Sequence, residues 1–377
     1  MHTKALVVSV LAGISANAPL VRTQAPQSSS SAYVVDRTWP RLLPNDWRLG
    51  AITGMATDKF DRIWVIHRAT TTAGSTVILA PPVLQFDMSG RLTASWGGPG
   101  RGFDWPVAPG GISVDDNGNV WIAAQGSGET SSKSGDAPTT NSATLPPEDA
   151  HVLKFSGTGQ FLLQIGKAGE LGTVESQTRL NHPATVAVDT VANEVFVADG
   201  GTSQRVVVFN ATTGTYKRHW RTSPVTTSRT AVLASKGLVR GTVKPFMHLS
   251  SIAVSRDGSV YVGDRESNCI QVFREDGTGY TFGFVPTTTN GPGGVWAMSL
   301  SKDPQQFRLF VANGEQVIVL GRSSLLVQSV FGQAGAEPGA FQRVGAVTVD
   351  SKGNVYTGYA DGNGVQKLLT RQPAGRP

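Results

Sequence analysis

The stretch TVAVDTVANEVFVADGGTSQRVVVFNATTGTYKRHW, residues 185–220, decides the fold of this chain. It contains four short runs rich in β-branched and aromatic residues, and turn-forming residues separate them. This pattern predicts a four-stranded antiparallel meander. The same cassette recurs at residues 111–166 and 251–284, each with a polar hairpin turn before an aromatic-bearing second strand. Repetition of such a cassette at about 40–50 residues predicts a β-propeller.

The composition agrees with a protein built from short strands and tight turns. Of 377 residues, 39% are hydrophobic, only 16% are charged, and 44 residues are glycines. Apolar residues do not recur at helical spacing over any long window, so we expect almost no helix. The net charge is +6, but Lys and Arg are spread along the chain and form no basic run interleaved with aromatic residues. We therefore expect no nucleic-acid partner.

The first 18 residues have the features of a secretory signal peptide. Lys4 gives a positive start, residues 5–14 form an apolar run, and Ala16-Asn17-Ala18 offers a small-residue cleavage site. The apolar run is too short to span a bilayer. Residues 19–32 are expected to form a flexible leader. We expect a secreted or periplasmic protein without a membrane span.

The repeats predict an all-β fold, a six-bladed β-propeller with four antiparallel strands in each blade. An isolated strand at residues 33–39 precedes the first blade, and the last blade has only three strands of its own. Pairing between them would close the ring and remove free sheet edges. Five or seven blades are open alternatives, and we expect a monomer. The predicted blades are residues 52–97, 111–166, 185–220, 251–284, 295–332 and 346–371 with 33–39, and a tail follows at 372–377.

The connectors between the predicted strands are of two kinds. The turns from first to second strand and from third to fourth strand are short. The connectors from second to third strand and from blade to blade are longer, and propeller geometry places them together on one face, here called the loop-rich face. Residues 126–150 and 221–247 are long inserts on that face. Because function usually lies on loops held by a rigid scaffold, we expect the functional site there.

The chain resembles NHL-repeat propellers. The resemblance is carried by VLQFDMSGRLTASWGGPG, VLKFSGTGQFLLQIGKAG, NEVFVADG and CIQVFREDGT, and it covers residues 39–369. Within these propellers the chain looks like the peptidyl-α-hydroxyglycine α-amidating lyases, which split a carbinolamide into a peptide amide and glyoxylate. That resemblance implies six blades. It also implies a zinc ion on three histidines, an arginine that binds the substrate carboxylate, and a tyrosine placed to act as a base.

The resemblance carries over to the individual positions only in part. Arg68 matches the arginine of these lyases. The three histidine positions correspond to Gly110, Ser250 and Gly345, the tyrosine position to Gly201, and an acidic calcium ligand to Ala346. None of these residues supplies the expected side chain, so we expect no cofactor. Zinc or calcium is the weaker alternative, with His67, His182 and His248 on the loop-rich face as the candidate zinc ligands.

Further candidate residues follow the second strands of the blades. Asp199, Asp264 and Asn313 end such strands, where a short acceptor either caps the next turn or lines a binding site. Arg265 stands beside Asp264, and paired Arg and Asp residues form either salt bridges or a carboxylate-binding ring. Trp105, in a blade-to-blade loop, is a candidate for stacking on a ligand.

Two functions of different classes are compatible with these features. The first is a binding or interaction module for a peptide, a glycan or a protein on the loop-rich face. Its candidate contact residues are Arg68, Asp199, Asp264, Arg265, Asn313 and Trp105. The second is an enzyme, a lyase acting on a carbon–nitrogen bond with a changed or lost metal site, in which Arg68 is the best catalytic candidate.

Overall fold

A computed structural model describes residues 32–69, 75–126, 148–222, 245–285, 294–362 and 364–371. The predicted signal peptide, residues 19–31 of the leader and the tail at 372–377 lie outside the described residues. So do residues 127–147 of the first long insert and residues 223–244 of the second.

The described residues form six four-stranded antiparallel sheets, which are the blades of a six-bladed β-propeller, as predicted. The strands are numbered β1–β24 in chain order. The first strands of the blades are β2 (Ala51–Thr57), β6 (Pro109–Val114), β10 (Pro183–Asp189), β14 (Leu249–Val254), β18 (Ala297–Leu300) and β22 (Val344–Val349). The second strands are β3 (Ile63–Arg68), β7 (Val120–Ala124), β11 (Glu194–Asp199), β15 (Ser259–Asp264), β19 (Arg308–Asn313) and β23 (Val355–Tyr359). The third strands are β4 (Val83–Phe86), β8 (His151–Phe155), β12 (Arg205–Asn210), β16 (Cys269–Arg274), β20 (Gln316–Gly321) and β24 (Val365–Thr370). The fourth strands are β5 (Leu92–Trp96), β9 (Phe161–Gly166), β13 (Tyr216–Trp220), β17 (Gly279–Phe284), β21 (Val327–Phe331) and β1 (Tyr33–Val35).

The N-terminal strand closes the ring, as expected. β1 pairs antiparallel with β24, with Val34 opposite Leu369. The strand is shorter than the predicted 33–39 because the chain turns at Asp36, whose carboxylate accepts hydrogen bonds from the backbone N–H and the hydroxyl of Thr38. The last sheet therefore takes its fourth strand from the other end of the chain.

The hydrophobic core lies between neighbouring blades. Each of six buried apolar clusters draws its residues from two adjacent blades, and together they link the blades in a closed cycle. The β-branched and aromatic residues that define the repeats supply most of these side chains. Because burial of apolar area is the main favourable term in folding, each blade is stabilised by its two neighbours.

A recurrent polar contact ties the first strand of a blade to its second strand. In three blades an aspartate directly after the first strand accepts backbone N–H groups of the hairpin turn and also a hydrogen bond from a buried ring six residues later. The pairs are Asp58 with Trp64, Asp115 with Trp121, and Asp350 with Tyr356, each at 3.0 Å. These contacts satisfy the polar atoms of rings that are otherwise packed in the core.

Helical structure is almost absent from the described residues, as expected. The helical segment found there is a single 3-10 turn at Pro44–Asp46. None of the described helical structure has the length and hydrophobicity needed to cross a bilayer.

Candidate functional site

The first strands of all six blades surround a central cavity of about 820 Å³. Neighbouring first strands contact one another around the ring, and they lie so close that a Cβ added to Gly54 would be 2.6 Å from the backbone nitrogen of Ile112 in the next blade. The beginnings of the first strands and the ends of the second strands therefore meet at one end of the cavity, on the loop-rich face. A volume of this size suits a small ligand or the end of a chain.

Arg68, the last residue of β3, lies on the wall of the cavity. It is half-buried, and burial lowers the pKa of its guanidinium while the charge of Asp149 opposes that shift. Asp149 is held by the backbone N–H groups of Val107 and Ala108 at 3.1 and 2.7 Å. The Nε atom of Arg68 is buried and has no hydrogen-bond partner within the described structure. The described structure therefore leaves the hydrogen-bonding capacity of this donor unused.

A second basic group lies around Trp296, which directly precedes β18. The guanidinium of Arg265 lies 4.5 Å from the centre of the indole ring, and that of Arg343 lies 5.6 Å from it. All three residues line the cavity at the loop-rich end. The indole Nε1 is buried, and no described residue accepts its hydrogen. The blades before and after Trp296 thus each place one cation on its ring.

The cavity wall is strongly basic. Its charged lining includes the four cations Arg68, Arg265, Lys302 and Arg343, against the carboxylate of Glu266. Lys302 lies at the end opposite the loop-rich face, where its ammonium donates to the backbone carbonyl of Thr57 at 2.9 Å. Burial lowers the pKa of Lys302. Charge and shape together favour an anionic ligand at the loop-rich mouth.

The short acceptors that end the second strands cap neighbouring backbone. Asp264 accepts hydrogen bonds from the backbone N–H groups of Met247, His248, Glu266 and Ser267. Asn313 accepts one from the N–H of Gly294 at 2.7 Å. These two residues and Asp199 lie outside the wall of the cavity that the structure describes. Their contacts match the capping alternative, and a ligand role for them stays a prediction.

Asp199 forms a buried ion pair. Its carboxylate accepts a hydrogen bond from Arg205 Nε at 2.8 Å, and both side chains are fully buried. It also accepts the backbone N–H of Asn181. Trp105 is likewise packed within the protein, with Phe103 and Phe155 at ring-centre distances of 6.5 and 6.0 Å.

The three candidate histidines have separate surroundings. His67 accepts the N–H of Gly50 at Nδ1 and donates from Nε2 to the carbonyl of Pro81, and burial lowers its pKa. His182 contacts the carbonyl of Gln125 and, at 3.3 Å, the carboxylate of Glu148. His248 lies on the cavity wall. No three metal-binding side chains of the described residues come together in a group that could hold a metal ion.

The positions that match the zinc ligands of the lyases do not fit that metal. A side chain at Gly110 would place its Cβ 2.4 Å from the carbonyl oxygen of Ala184. At Gly345 the added Cβ would lie 2.9 Å from that of Ala360. Ser250 is present, but its hydroxyl donates to the backbone carbonyls of Gly263 and Val295. The residues at these positions therefore do not supply the donor set that zinc requires.

Sequence reasoning places Arg68 and Arg265 on the loop-rich face but misses Trp296 and Arg343. Trp296 has the sequence surroundings of the core tryptophans, and no motif marks Arg343. Each directly precedes a first strand, at the mouth of the cavity. Their positions relative to the strand starts are the signal that could have identified them.

An NHL-repeat model matches residues 246–273. This range contains β14, β15 and nearly all of β16, and it ends at Phe273. The repeat thus coincides with three strands of the fourth blade.

A curated relative is the peptidyl-alpha-hydroxyglycine alpha-amidating lyase 1 of Drosophila melanogaster. It is 25% identical over 210 residues, which are 51% of this chain and 32% of the relative. The match thus spans about a third of the length of that lyase. The similarity is weak, and it agrees with the lyase-like resemblance predicted from the sequence.

Two solved structures share the fold. A streptogramin B lyase structure has a TM-score of 0.52 and 12% identity, covering 90% of this chain and 98% of that chain. A Bacteroides thetaiotaomicron protein of unknown function has a TM-score of 0.51 and 14% identity, covering 85% of this chain and 70% of that chain. At these identities the likeness concerns the propeller fold.

Proposed function

We propose that this chain is a secreted or periplasmic binding module that holds the C-terminal carboxylate of a peptide at Arg68. The observation that carries the proposal is the buried, unpartnered Nε of Arg68 on the wall of the central cavity. A buried donor without an acceptor is unfavourable, and a carboxylate entering the cavity would satisfy it. A guanidinium is also suited to a carboxylate because its planar N–H groups match the two oxygens.

The shape and charge of the cavity support a peptide terminus. The excess of cations along the wall favours an anion, and about 820 Å³ accommodates a few residues of an extended chain. The name of the Drosophila relative denotes a peptide substrate. Peptide recognition by this chain is therefore consistent with the class of ligand of that relative.

The second candidate is a carbon–nitrogen lyase, and the similarity to the amidating lyase favours it. The zinc site implied by that family does not fit this chain, because Gly110, Ser250 and Gly345 lack the donors that the metal requires. Release of glyoxylate from a peptidyl-α-hydroxyglycine by the purified protein, with stoichiometric metal, would favour the lyase over the binding module.

Calorimetry with short peptides tests the binding proposal. The same peptide is titrated as a free acid and as a C-terminal amide, against the wild type, Arg68→Gln and the control Arg101→Gln. Arg101 is an exposed residue outside the cavity wall, so its variant matches the change in charge. Because charged hydrogen bonds contribute about 1.5–3 kcal/mol, we expect the free acid to bind roughly 10- to 150-fold more tightly.

The variants separate a specific contact from general attraction. Arg68→Gln should abolish the preference for the free acid, and Arg101→Gln should retain it. Equal affinities of the acid and the amide for the wild type would overturn the proposal. So would an undiminished preference in Arg68→Gln.

A further inference from the structure

We infer that the loop-rich mouth contains a second anion subsite, formed by Arg265, Trp296 and Arg343, and that the ligand is a peptide with an acidic side chain next to its C-terminal carboxylate. The inference rests on the proposed function, since it assumes that Arg68 holds that carboxylate. It adds a determinant of specificity that Arg68 cannot provide.

The two guanidiniums around Trp296 create a local excess of positive charge. They lie 4.5 and 5.6 Å from the centre of the same ring, so their separation cannot exceed the sum of those distances. Charges at this range are only partly screened, because the Debye length is about 8 Å at physiological ionic strength. An anion bound between Arg265 and Arg343 would relieve their repulsion.

Both guanidiniums lie within cation–π range of the indole, about 6 Å from the ring centre. A guanidinium over an aromatic face uses its flat side for the ring and leaves its in-plane N–H groups for hydrogen bonds. The side chain of Arg343 is exposed, and no carboxylate of the described residues lies within ion-pair distance of it. Its ring contact with Trp296 is the one interaction that the described structure gives this side chain. The N–H groups of this guanidinium are therefore not used by the described protein.

Two further observations mark this mouth as a built site. The buried Nε1 of Trp296 has no acceptor among the described residues. Arg343 has a φ of 35°, in the left-handed region that non-glycine residues seldom adopt. Its carbonyl is held there by the N–H of Ala360 at 2.9 Å. Backbone strain of this kind clusters at ligand sites, where the surrounding structure maintains it.

The position of this subsite relative to Arg68 indicates how far apart the two anionic groups of the ligand should be. Arg343 directly precedes β22 of the last blade, and Arg68 pairs with Ala51 at the start of β2 in the first blade. These blades are neighbours in the closed ring, and β2 contacts β22. A Cβ added to Gly345, two residues after Arg343, would lie 3.5 Å from the carbonyl oxygen of Ile52, the residue after Ala51. Because an extended chain advances about 3.3 Å per residue, we expect this approach to suit anionic groups one or two residues apart. A peptide ending in an acidic residue followed by one small residue presents two such groups.

Four tetrapeptides test the inference by calorimetry on the full chain. Acetyl-Ala-Ala-Glu-Ala and acetyl-Ala-Ala-Gln-Ala are each used as the free acid and as the amide. For the wild type, we expect Glu to improve affinity about tenfold over Gln, as a charge-assisted contact does. Arg343→Gln should lose this Glu preference while keeping the preference for the free acid. Arg68→Gln should show the reverse, and the control Arg101→Gln should keep both preferences.

The variant Trp296→Phe distinguishes the contribution of the indole N–H from that of the aromatic face. It retains an aromatic face for both guanidiniums, so a loss of affinity without a loss of the Glu preference would assign the N–H to the ligand backbone. A loss of the Glu preference would assign it to the acidic side chain. Both results support the subsite, whereas unchanged affinity for all four peptides would overturn the subsite of Arg265, Trp296 and Arg343 as inferred.

The outcomes distinguish this inference from the proposed function. Equal affinities for the Glu and Gln peptides in the wild type would overturn the second subsite while the preference for the free acid stands. If the wild type preferred neither Glu over Gln nor the free acid over the amide, both proposals would be overturned. Binding of an oligouronate in the absence of peptide binding would assign the mouth to an acidic glycan and likewise overturn both.

Discussion

Replacing Arg205 by methionine should lower the free energy of unfolding of this propeller by more than the substitution of any exposed residue. The side chain is fully buried, and it donates to Asp199 Oδ2 at 2.8 Å and to the carbonyls of Ser176 and Arg179 at 2.7 and 2.9 Å. Methionine fills similar volume but leaves a buried carboxylate and these carbonyls without their donor. Breaking one side of a buried ion pair costs about 3–5 kcal/mol, a large part of a typical stability of about 5–15 kcal/mol.

Urea denaturation followed by far-ultraviolet circular dichroism measures this loss. Arg101→Met is the control, and an exposed substitution of this kind should change stability by less than about 0.5 kcal/mol. The double variant Asp199→Asn with Arg205→Met should be more stable than Arg205→Met alone, because it buries no unpaired charge. A loss below about 1 kcal/mol for Arg205→Met would refute the reasoning.

The pH dependence of the Arg205→Met variant gives an independent check. Burial raises the pKa of Asp199, and Arg205 opposes this rise. Without the guanidinium of Arg205, the pKa of Asp199 should therefore rise further. A raised folded-state pKa gives stability that is present at low pH and is lost as pH rises through it. The stability deficit of the variant relative to the wild type should therefore shrink as pH falls from about 7 towards about 4, and a constant deficit would contradict this.

Two further predictions concern residues away from the cavity. Trp64→Phe should destabilise the protein by about 1–3 kcal/mol because it leaves a buried carboxylate acceptor without its indole donor. Trp96→Phe, the control beside it, should lose less, since no described residue accepts the buried Nε1 of Trp96. Burial and the adjacent carboxylate of Asp189 raise the pKa of Glu275. Glu275→Gln should therefore gain stability relative to the wild type as pH rises above about 4, measured by thermal melts, and a gain only at low pH would contradict this.

The fold could be predicted because its determinants are local and repeated. Residues 185–220 contain continuous apolar strands, Glu194–Asp199 and Arg205–Asn210, that are buried between neighbouring blades, and the other blades repeat the same signal independently. The closing strand at Tyr33–Val35 follows from counting strands, since a blade with three strands leaves an open edge. The turn at Asp36 could not be foreseen, because it depends on one side chain bonding to Thr38 rather than on a repeated pattern.

The candidate site could be predicted less completely because its residues lie outside the strands. Arg68 is identified by its position at the end of a second strand and by the family resemblance. Trp296 and Arg343 lie in blade-to-blade connectors, whose conformation no alternation of apolar and polar residues determines. Asp199 shows why the sequence left two roles open, because a buried acceptor that pairs with Arg205 has the same sequence signature as a ligand-binding carboxylate.

The geometry of the ring limits which side chains can stand at the mouth of the cavity. Several residues next to the ends of first and second strands line the same mouth, namely Gln125, His248, Arg265, Trp296 and Arg343. An imidazole at Gly110 would require the carbonyl of Ala184 to move, because an added Cβ would lie only 2.4 Å from it. The close approach of the first strands thus resists restoration of a metal-binding side chain by a single substitution. Arg68, Arg265 and Arg343 stand at or beside strand ends and line the mouth, where they give the cavity wall a net positive charge.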